Sequence, residues 1–141
     1  MAKKIKTPKT ETKEKKQRNL KRNRARGNSY ECKIAKELRE LGYTGVVTSR
    51  SESKAMDNMK VDLVDMENKL PIHSQIKAVI KYPNYLEIKK ACPLKDKPFV
   101  LFWSIIKPTE STFRSAGEVV ILEKSFFYEL LKTYGKSNNH F

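Results

Sequence analysis

Residues 60–77, KVDLVDMENKLPIHSQIK, decide how this chain is read, because they hold two runs of strand character separated by a short polar break. Along the first, Val61 and Leu63 alternate with Asp62, Val64 and Met66, the period of two that marks a half-buried strand. Asp62 therefore projects to one face. The second run, Leu70 to Ile80, is rich in β-branched residues, and Gln75 and Lys77, two apart, share a face. A two-residue turn on Asn68-Lys69 would place Asp62 directly across from Gln75, and a three-residue loop would slip that register by one.

Taken singly, Asp62 reads as an edge-strand charge, Gln75 as a solvated amide and Lys77 as a guard against aggregation. Taken together they read differently, because each interrupts an apolar run where a valine would fit better, and polar residues in such places have a task. Upstream, a helix starting near Asn28 carries Tyr30, Ile34, Ala35, Leu38 and Leu41 on one face. Glu31 falls inside that apolar sector, whereas Lys33, Lys36, Glu37, Arg39 and Glu40 lie outside it. Two readings of Glu31 stand side by side: the third residue of a capping box begun by Asn28, or a carboxylate turned toward the same site as Asp62.

With Glu31 on a first helix, Val-Asp62 on a strand and Gln75-Ile-Lys77 on the next, the chain resembles the PD-(D/E)XK nuclease superfamily. Within it, the similarity is greatest to the Holliday junction resolvases of archaea and their phage-encoded relatives. It spans roughly residues 27 to 131 and takes in the segment Ser49-Arg50-Ser51-Glu52-Ser53. The resemblance implies an α/β, restriction-endonuclease-like fold with a mixed central sheet flanked by helices. It implies Mg²⁺, for which Mn²⁺ may substitute, held by Asp62, Gln75, the carbonyl of Ile76, and Glu31 directly or through water. Lys77 would orient or deprotonate the attacking water, and Arg50 and Ser53 would contact a phosphate. The substrate would be DNA, branched, and symmetric cutting of two strands would call for a homodimer. Two departures stand out: Val61 where the family often has proline, and Gln75 where it usually has an acid. An amide oxygen still ligates a hard cation but brings no charge. Flaps, nicks or duplex sites are the alternative substrates, and a non-catalytic basic nucleic-acid-binding protein is the alternative from another class.

The chain has 141 residues, 38% apolar and 33% charged, with a formal charge of +14, which suits one small domain, here residues 28–135, followed by a flexible tail at 136–141. Residues 1–27 hold twelve Lys or Arg against two Glu, a balance of +10, and leave +4 for the other 114 residues. So basic and so poor in apolar side chains, this segment reads as disordered when free and as helical near Lys13 to Arg26 on a polyanion. Its functional reading is a nucleic-acid arm, with Lys21, Arg22, Arg24 and Arg26 on phosphates; a solubilising tail or a localisation signal are the alternatives. Lacking a secretory apolar core and any ~18-residue apolar stretch, the chain is expected in the cytoplasm of a prokaryotic cell or phage-infected host, away from membranes.

Cys32 and Cys92 lack metal-ligand spacing, and His73 reads as a packing residue more readily than as a base. The remaining elements are a strand over Tyr43 to Ser49, a short helix over Asn84 to Ala91, and a central strand over Phe99 to Ile106. A polar loop over Lys107 to Gly117 follows, then a strand over Glu118 to Leu122 and a helix over Phe126 to Tyr134, capped by Ser125 and stopped by Gly135. The order is α-β-β-β-α-β-β-α. Lys81, Lys89, Lys90, Lys95 and Lys97 crowd the segment behind the site, either along a phosphate groove or on a solvated surface.

Overall fold

Good helix formers dominate the chain from Pro8 to Glu40, the interior glycine, Gly27, costing only about 1 kcal/mol, and in the computed structural model, which describes residues 8–52 and 54–138, they form one 33-residue helix, α1 (Pro8–Glu40). Tyr30, Ile34, Ala35 and Leu38 are its buried face. The expected start at Asn28 does not hold. Asn28 lies inside the helix, so no capping box forms with Glu31. The segment expected to be an unstructured arm is, over residues 13–25, a solvent-facing helix. The other end of α1 is closed by chemistry: Gly42, at φ 112, lets Tyr43 N–H reach the Leu38 carbonyl and Gly42 N–H the Arg39 carbonyl, a Schellman motif.

The remaining elements are β1 (Val46–Thr48), α2 (Ser49–Glu52), α3 (Lys54–Asn58), β2 (Leu63–Asp65), β3 (His73–Val79), α4 (Tyr85–Ala91), β4 (Phe99–Pro108), β5 (Phe113–Ile121) and α5 (Lys124–Asn138). The fold is mixed α/β. β1 and β2 pair antiparallel, while β3 and β4 pair parallel and β4 and β5 antiparallel, so the larger sheet has β4 at its centre. Parallel neighbours need a crossover, and α4, capped by the side chain of Asn84, supplies it. The order agrees with the sequence reading except for two short helices, α2 and α3, inserted before β2.

The hairpin on Asn68-Lys69 is not made. The Asp65 carboxylate accepts N–H bonds from Glu67, Lys69 and Leu70 at 2.8–2.9 Å, Asn68 takes a left-handed φ of 54, and Pro71 has no N–H to give a ladder. β2 therefore leaves through a wide loop and pairs with β1. One backbone bond still joins the two sheets, Asp62 N–H to Ser74 O at 2.9 Å.

The sheet is also longer than the sequence suggests. Residues 107–117, expected to be a polar loop, extend β4 and open β5, leaving a turn at Thr109–Thr112. β5 is an exposed edge strand, so its polar residues carry no apolar alternation to betray it. α5 begins at Lys124, takes in Ser125 and continues through Gly135 to Asn138, so neither expected end is its end. It also absorbs residues 136–138 of the expected tail.

Two buried clusters hold the body. Tyr30, Ile34, Ala35 and Leu38 of α1 pack with Val46, Leu63, Leu70, Ile76, Ala78 and Ile106 on one face of the sheet. Val61, Tyr85, Cys92, Phe99 and Leu101 pack on the other, beneath α4. Tyr30, Lys33 and Arg26 fasten α1 to the last hairpin: Lys33 Nζ is 2.8 Å from Glu118 Oε2, and the Arg26 guanidinium lies 4.8 Å over the Phe113 ring. Burial and the neighbouring Glu118 hold the Tyr30 phenol protonated.

Gly45 is the tight spot of the smaller sheet. A Cβ there would sit 2.5 Å from Asp65 Oδ1 and 2.9 Å from the Glu67 backbone nitrogen. Gly45→Ala should therefore disturb the Asp65 loop and lower unfolding free energy by about 1–3 kcal/mol, read by urea denaturation; unchanged stability would show that this loop yields freely.

Candidate active site

Asp62 is held from three directions. Its N–H donates to Ser74 O at 2.9 Å, its carbonyl accepts Ser49 N–H at 2.8 Å, and its Oδ2 accepts Ile76 N–H at 2.7 Å. The carboxylate is thereby fixed at the free edge of β3. Alternation along β3 leaves Gln75 and Lys77 half-exposed on one face and buries Ser74, Ile76 and Ala78 on the other, as the period of two requires. Gln75 and Lys77 thus flank the amide that Asp62 grips. Because the N–H and C=O of one strand residue point to the same edge, the Ile76 carbonyl also faces the Asp62 side.

Glu31 arrives from α1. It is buried, as the helical wheel places it, and the Arg50 guanidinium of α2 meets it at 3.0 and 3.2 Å. Arg50 also donates to the side chain of Asn28. Burial, and then the charge of Asp62, push the Glu31 carboxyl up to about 7 from its ordinary 4.5, against the opposing pull of Arg50; Asp57 pushes it up as well, and Lys77 pulls it down. Asp62 is also raised, first by desolvation, while the Ile76 N–H and the Lys77 ammonium pull it down. Glu31 thus feels Asp62, Arg50, Asp57 and Lys77, and Asp62 feels Lys77, Asp57 and Arg50.

Asp57 is the member that the sequence did not disclose. It rides on α3, a helix of five residues too short for a periodic signal, and it is exposed. Ser53 lies outside the described residues. Lys81 is exposed just beyond β3, and Lys21, Arg22 and Arg24 are exposed along α1. Arg26 is half-buried and engaged with Phe113 and with Asn23 Oδ1, at 2.8 Å, so it differs from its basic neighbours.

Three lysines of the crowded segment have internal partners: Lys89 pairs with Glu123, Lys95 reaches the Lys89 carbonyl, and Lys97 bonds Asn68 Oδ1 and the Leu70 carbonyl. They line a 390 Å³ cleft that also contains Asp96, Glu123 and Glu129. That cleft is of mixed charge, not a purely basic groove. His73 is buried with Nε2 2.7 Å from Asp96 Oδ1, which matches its reading as a packing residue.

Among the described residues no three His, Cys, Asp or Glu side chains converge into a metal cage. An amide and a main-chain carbonyl would have to complete any cation site, and Gln75 and Ile76 stand beside Asp62 to do so. Two carboxylates that burial makes costly to ionise, one of them pushed up further by the other, are the donor chemistry a hard divalent cation relieves. The residues fit Mg²⁺. No family model, no curated protein and no solved structure matches the chain. No helix among the described residues is long and apolar enough to cross a membrane.

The pH dependence of stability follows from Glu31. Its folded-state pKa lies above the unfolded one, so the folded chain binds the proton more tightly; that contribution is full below about pH 4.5 and is lost as pH rises through about 7. Glu31→Gln should therefore stabilise the fold by about 1–3 kcal/mol at pH 8 and leave it nearly unchanged at pH 4, measured by urea unfolding without added metal. Equal effects at both pH values would show that Glu31 ionises as freely in the fold as in the unfolded chain.

Proposed function

We propose that this chain is a Mg²⁺-dependent, structure-selective DNA endonuclease of the PD-(D/E)XK type, resolvase-like in substrate and acting on cytoplasmic DNA of a prokaryotic cell or phage-infected host. One observation carries the reading: the Asp62 carboxylate is bonded to the Ile76 amide between Gln75 and Lys77, with Glu31 brought in from α1. The core of the sheet, with α1 on one face and α4 on the other, suits the restriction-endonuclease-like arrangement.

In this reading Asp62 uses its second oxygen, together with the Gln75 amide oxygen, the Ile76 carbonyl and Glu31, to hold Mg²⁺. Bound there, Mg²⁺ would supply a Lewis acid for the scissile phosphoryl oxygens. The Asp62 oxygen toward Ile76 is fixed by its hydrogen bond, so the carboxylate needs little reorganisation on binding. Lys77, on the same strand face as Gln75, orients the attacking water and steadies the charge that develops on phosphorus-bound oxygen. Arg50 exchanges its bond to Glu31 for a phosphate when the substrate arrives, since guanidinium suits both anions.

The α1 extension supplies sequence-independent affinity. Each phosphate it neutralises releases condensed counterions and steepens the salt dependence by about 0.9 in the log–log slope. Branched DNA is favoured over a short duplex because the basic helix projects away from the site and reaches phosphates that lie off the scissile arm. Symmetric cleavage of such a substrate takes two copies of the chain.

A second reading, a nucleic-acid-binding protein without catalysis, is favoured by one specific pair of observations: Gln75 lacks the charge of an acid, and Arg50 already neutralises Glu31.

Cleavage of four-way junction, flap and linear duplex DNA in Mg²⁺ and Mn²⁺ is the direct test. Lys77→Ala should lose at least a hundredfold in rate while binding DNA nearly as well as the parent, because one of thirty basic residues contributes little to counterion release. Full activity in that variant would remove Lys77 from the chemistry. Gln75→Glu should cleave as fast or faster at low Mg²⁺ and gain a metal-dependent rise in thermal midpoint. A destabilised, inactive Gln75→Glu whose midpoint ignores Mg²⁺ would favour the binding-only reading. Deleting residues 1–26 should weaken binding and flatten its salt slope; an unchanged slope would exclude the extension from the interface.

A further inference from the structure

α5 is an amphipathic helix whose apolar side is exposed among the described residues. Phe127, Leu130, Leu131 and Tyr134 follow the i, i+3, i+4, i+7 spacing, and they are 49, 47, 47 and 68% exposed. The helix meets the body through its opposite side, where Ser125, Phe126 and Glu129 line the cleft with Tyr85 and Phe99. At about 100° per residue, Glu129, Lys132 and Lys136 also fall away from the stripe. Lys124, at the margin, has its ammonium 5.9 Å from the Tyr128 ring.

We infer that this stripe is the seat of a second copy of the chain, whose own α5 lies antiparallel across it. The order of the stripe, aromatic-x-x-Leu-Leu-x-x-aromatic, reads the same in both directions about the point between Leu130 and Leu131. A two-fold axis through that point sets Phe127 against Tyr134 of the partner subunit, and the leucines against the leucines of the partner subunit. An isologous contact demands such self-complementarity. The absence of charge from the stripe also matters: two chains of +14 repel, and they can approach only through a face that adds no further cations. The same absence gives a polyanion nothing to hold.

The area agrees with a modest dimer. Half-exposed side chains of this size, with Tyr128 at the edge, offer about 500 Å² per copy, or about 1,000 Å² for the pair, the lower bound of a specific interface. The association should therefore be concentration-dependent, with dissociation in the micromolar range. It deepens the proposed reading, which needs two copies of the chain, by naming the surface that joins them; none of its residues belongs to the Asp62 site, so loss of cleavage and loss of the dimer are read separately.

Sedimentation equilibrium of the full chain over a concentration series, without DNA, is the experiment. The parent should pass from monomer to dimer, and Leu130→Glu/Leu131→Glu should raise the dissociation constant at least tenfold while its far-ultraviolet dichroism stays unchanged and its thermal midpoint equals that of the parent at concentrations where the parent is monomeric, because the stripe is exposed among the described residues. Disulfide cross-linking in a Cys32→Ser background fixes the orientation and remains informative if the double variant misfolds. Leu130→Cys should link to itself, and Phe127→Cys should link to Tyr134→Cys in a mixture but not to itself. A parent that stays monomeric throughout, a double variant that still dimerises, or self-linking Phe127→Cys would each overturn the inference. A monomeric parent that instead binds phosphatidylcholine–phosphatidylglycerol vesicles would assign the stripe to a lipid surface.

Discussion

The fold turns on the way Asp62 is stitched into its surroundings. Its N–H, its carbonyl and its carboxylate each take a partner from a different segment: Ser74, Ser49 and Ile76. The first of these bonds joins the two-stranded sheet to the three-stranded one, and the second fixes the start of α2. The third sets the orientation of the side chain. Lys60, at φ 63, turns the chain into this position after α3, so a left-handed residue stands two places ahead of the fixed carboxylate. Structure and site therefore share one residue, and a change at Asp62 would be felt in both.

Much of this was legible in the sequence because burial imposes period. Val61 and Leu63 are buried while Asp62 and Val64 are not, and Ile76 and Ala78 are buried while Gln75 and Lys77 are not. The apolar face of α1, and with it the inward turn of Glu31, followed from the same logic at the helical period. What escaped was whatever lacks a periodic signature. The Asp65 loop replaces a hairpin through three backbone-to-carboxylate bonds and a proline, a local competition that no alternation of apolar residues records. α2 and α3 span four and five residues, less than two turns each, and Asp57 went unnoticed with them. The first half of β5, residues 113–117, escaped because its exposed residues show no apolar alternation, while its second half was read as a strand; the stop at Gly135 failed because a single glycine costs a helix only about 1 kcal/mol.

The charge arrangement around Glu31 shows how a small domain tolerates an acid in its core. Arg50 enters from a separate helix, half-exposed, and compensates the carboxylate without being buried itself. Desolvation still outweighs that compensation, which leaves Glu31 poised near neutrality. Any cation that enters the edge of β3 competes with Arg50 for the same oxygens. The Arg50 ion pair and the proposed cation site would thus draw on one set of atoms.

The length of α1 has a mechanical consequence. A helix of 33 residues is about 50 Å long, and roughly 30 Å of it lies beyond the packed portion that begins near Arg26. Glu118 and Phe113 grip it at Tyr30, Lys33 and Arg26, close to where it leaves the body, and so act as a fulcrum. A tilt of about 10° there would sweep the far tip through about 5 Å while shifting Glu31, next to the pivot, by a few tenths of an ångström. A load applied to the exposed end would thus be reduced in displacement where the helix meets the sheet. The exposed length of α1 is a long arm that turns about the place where Glu31 enters the body.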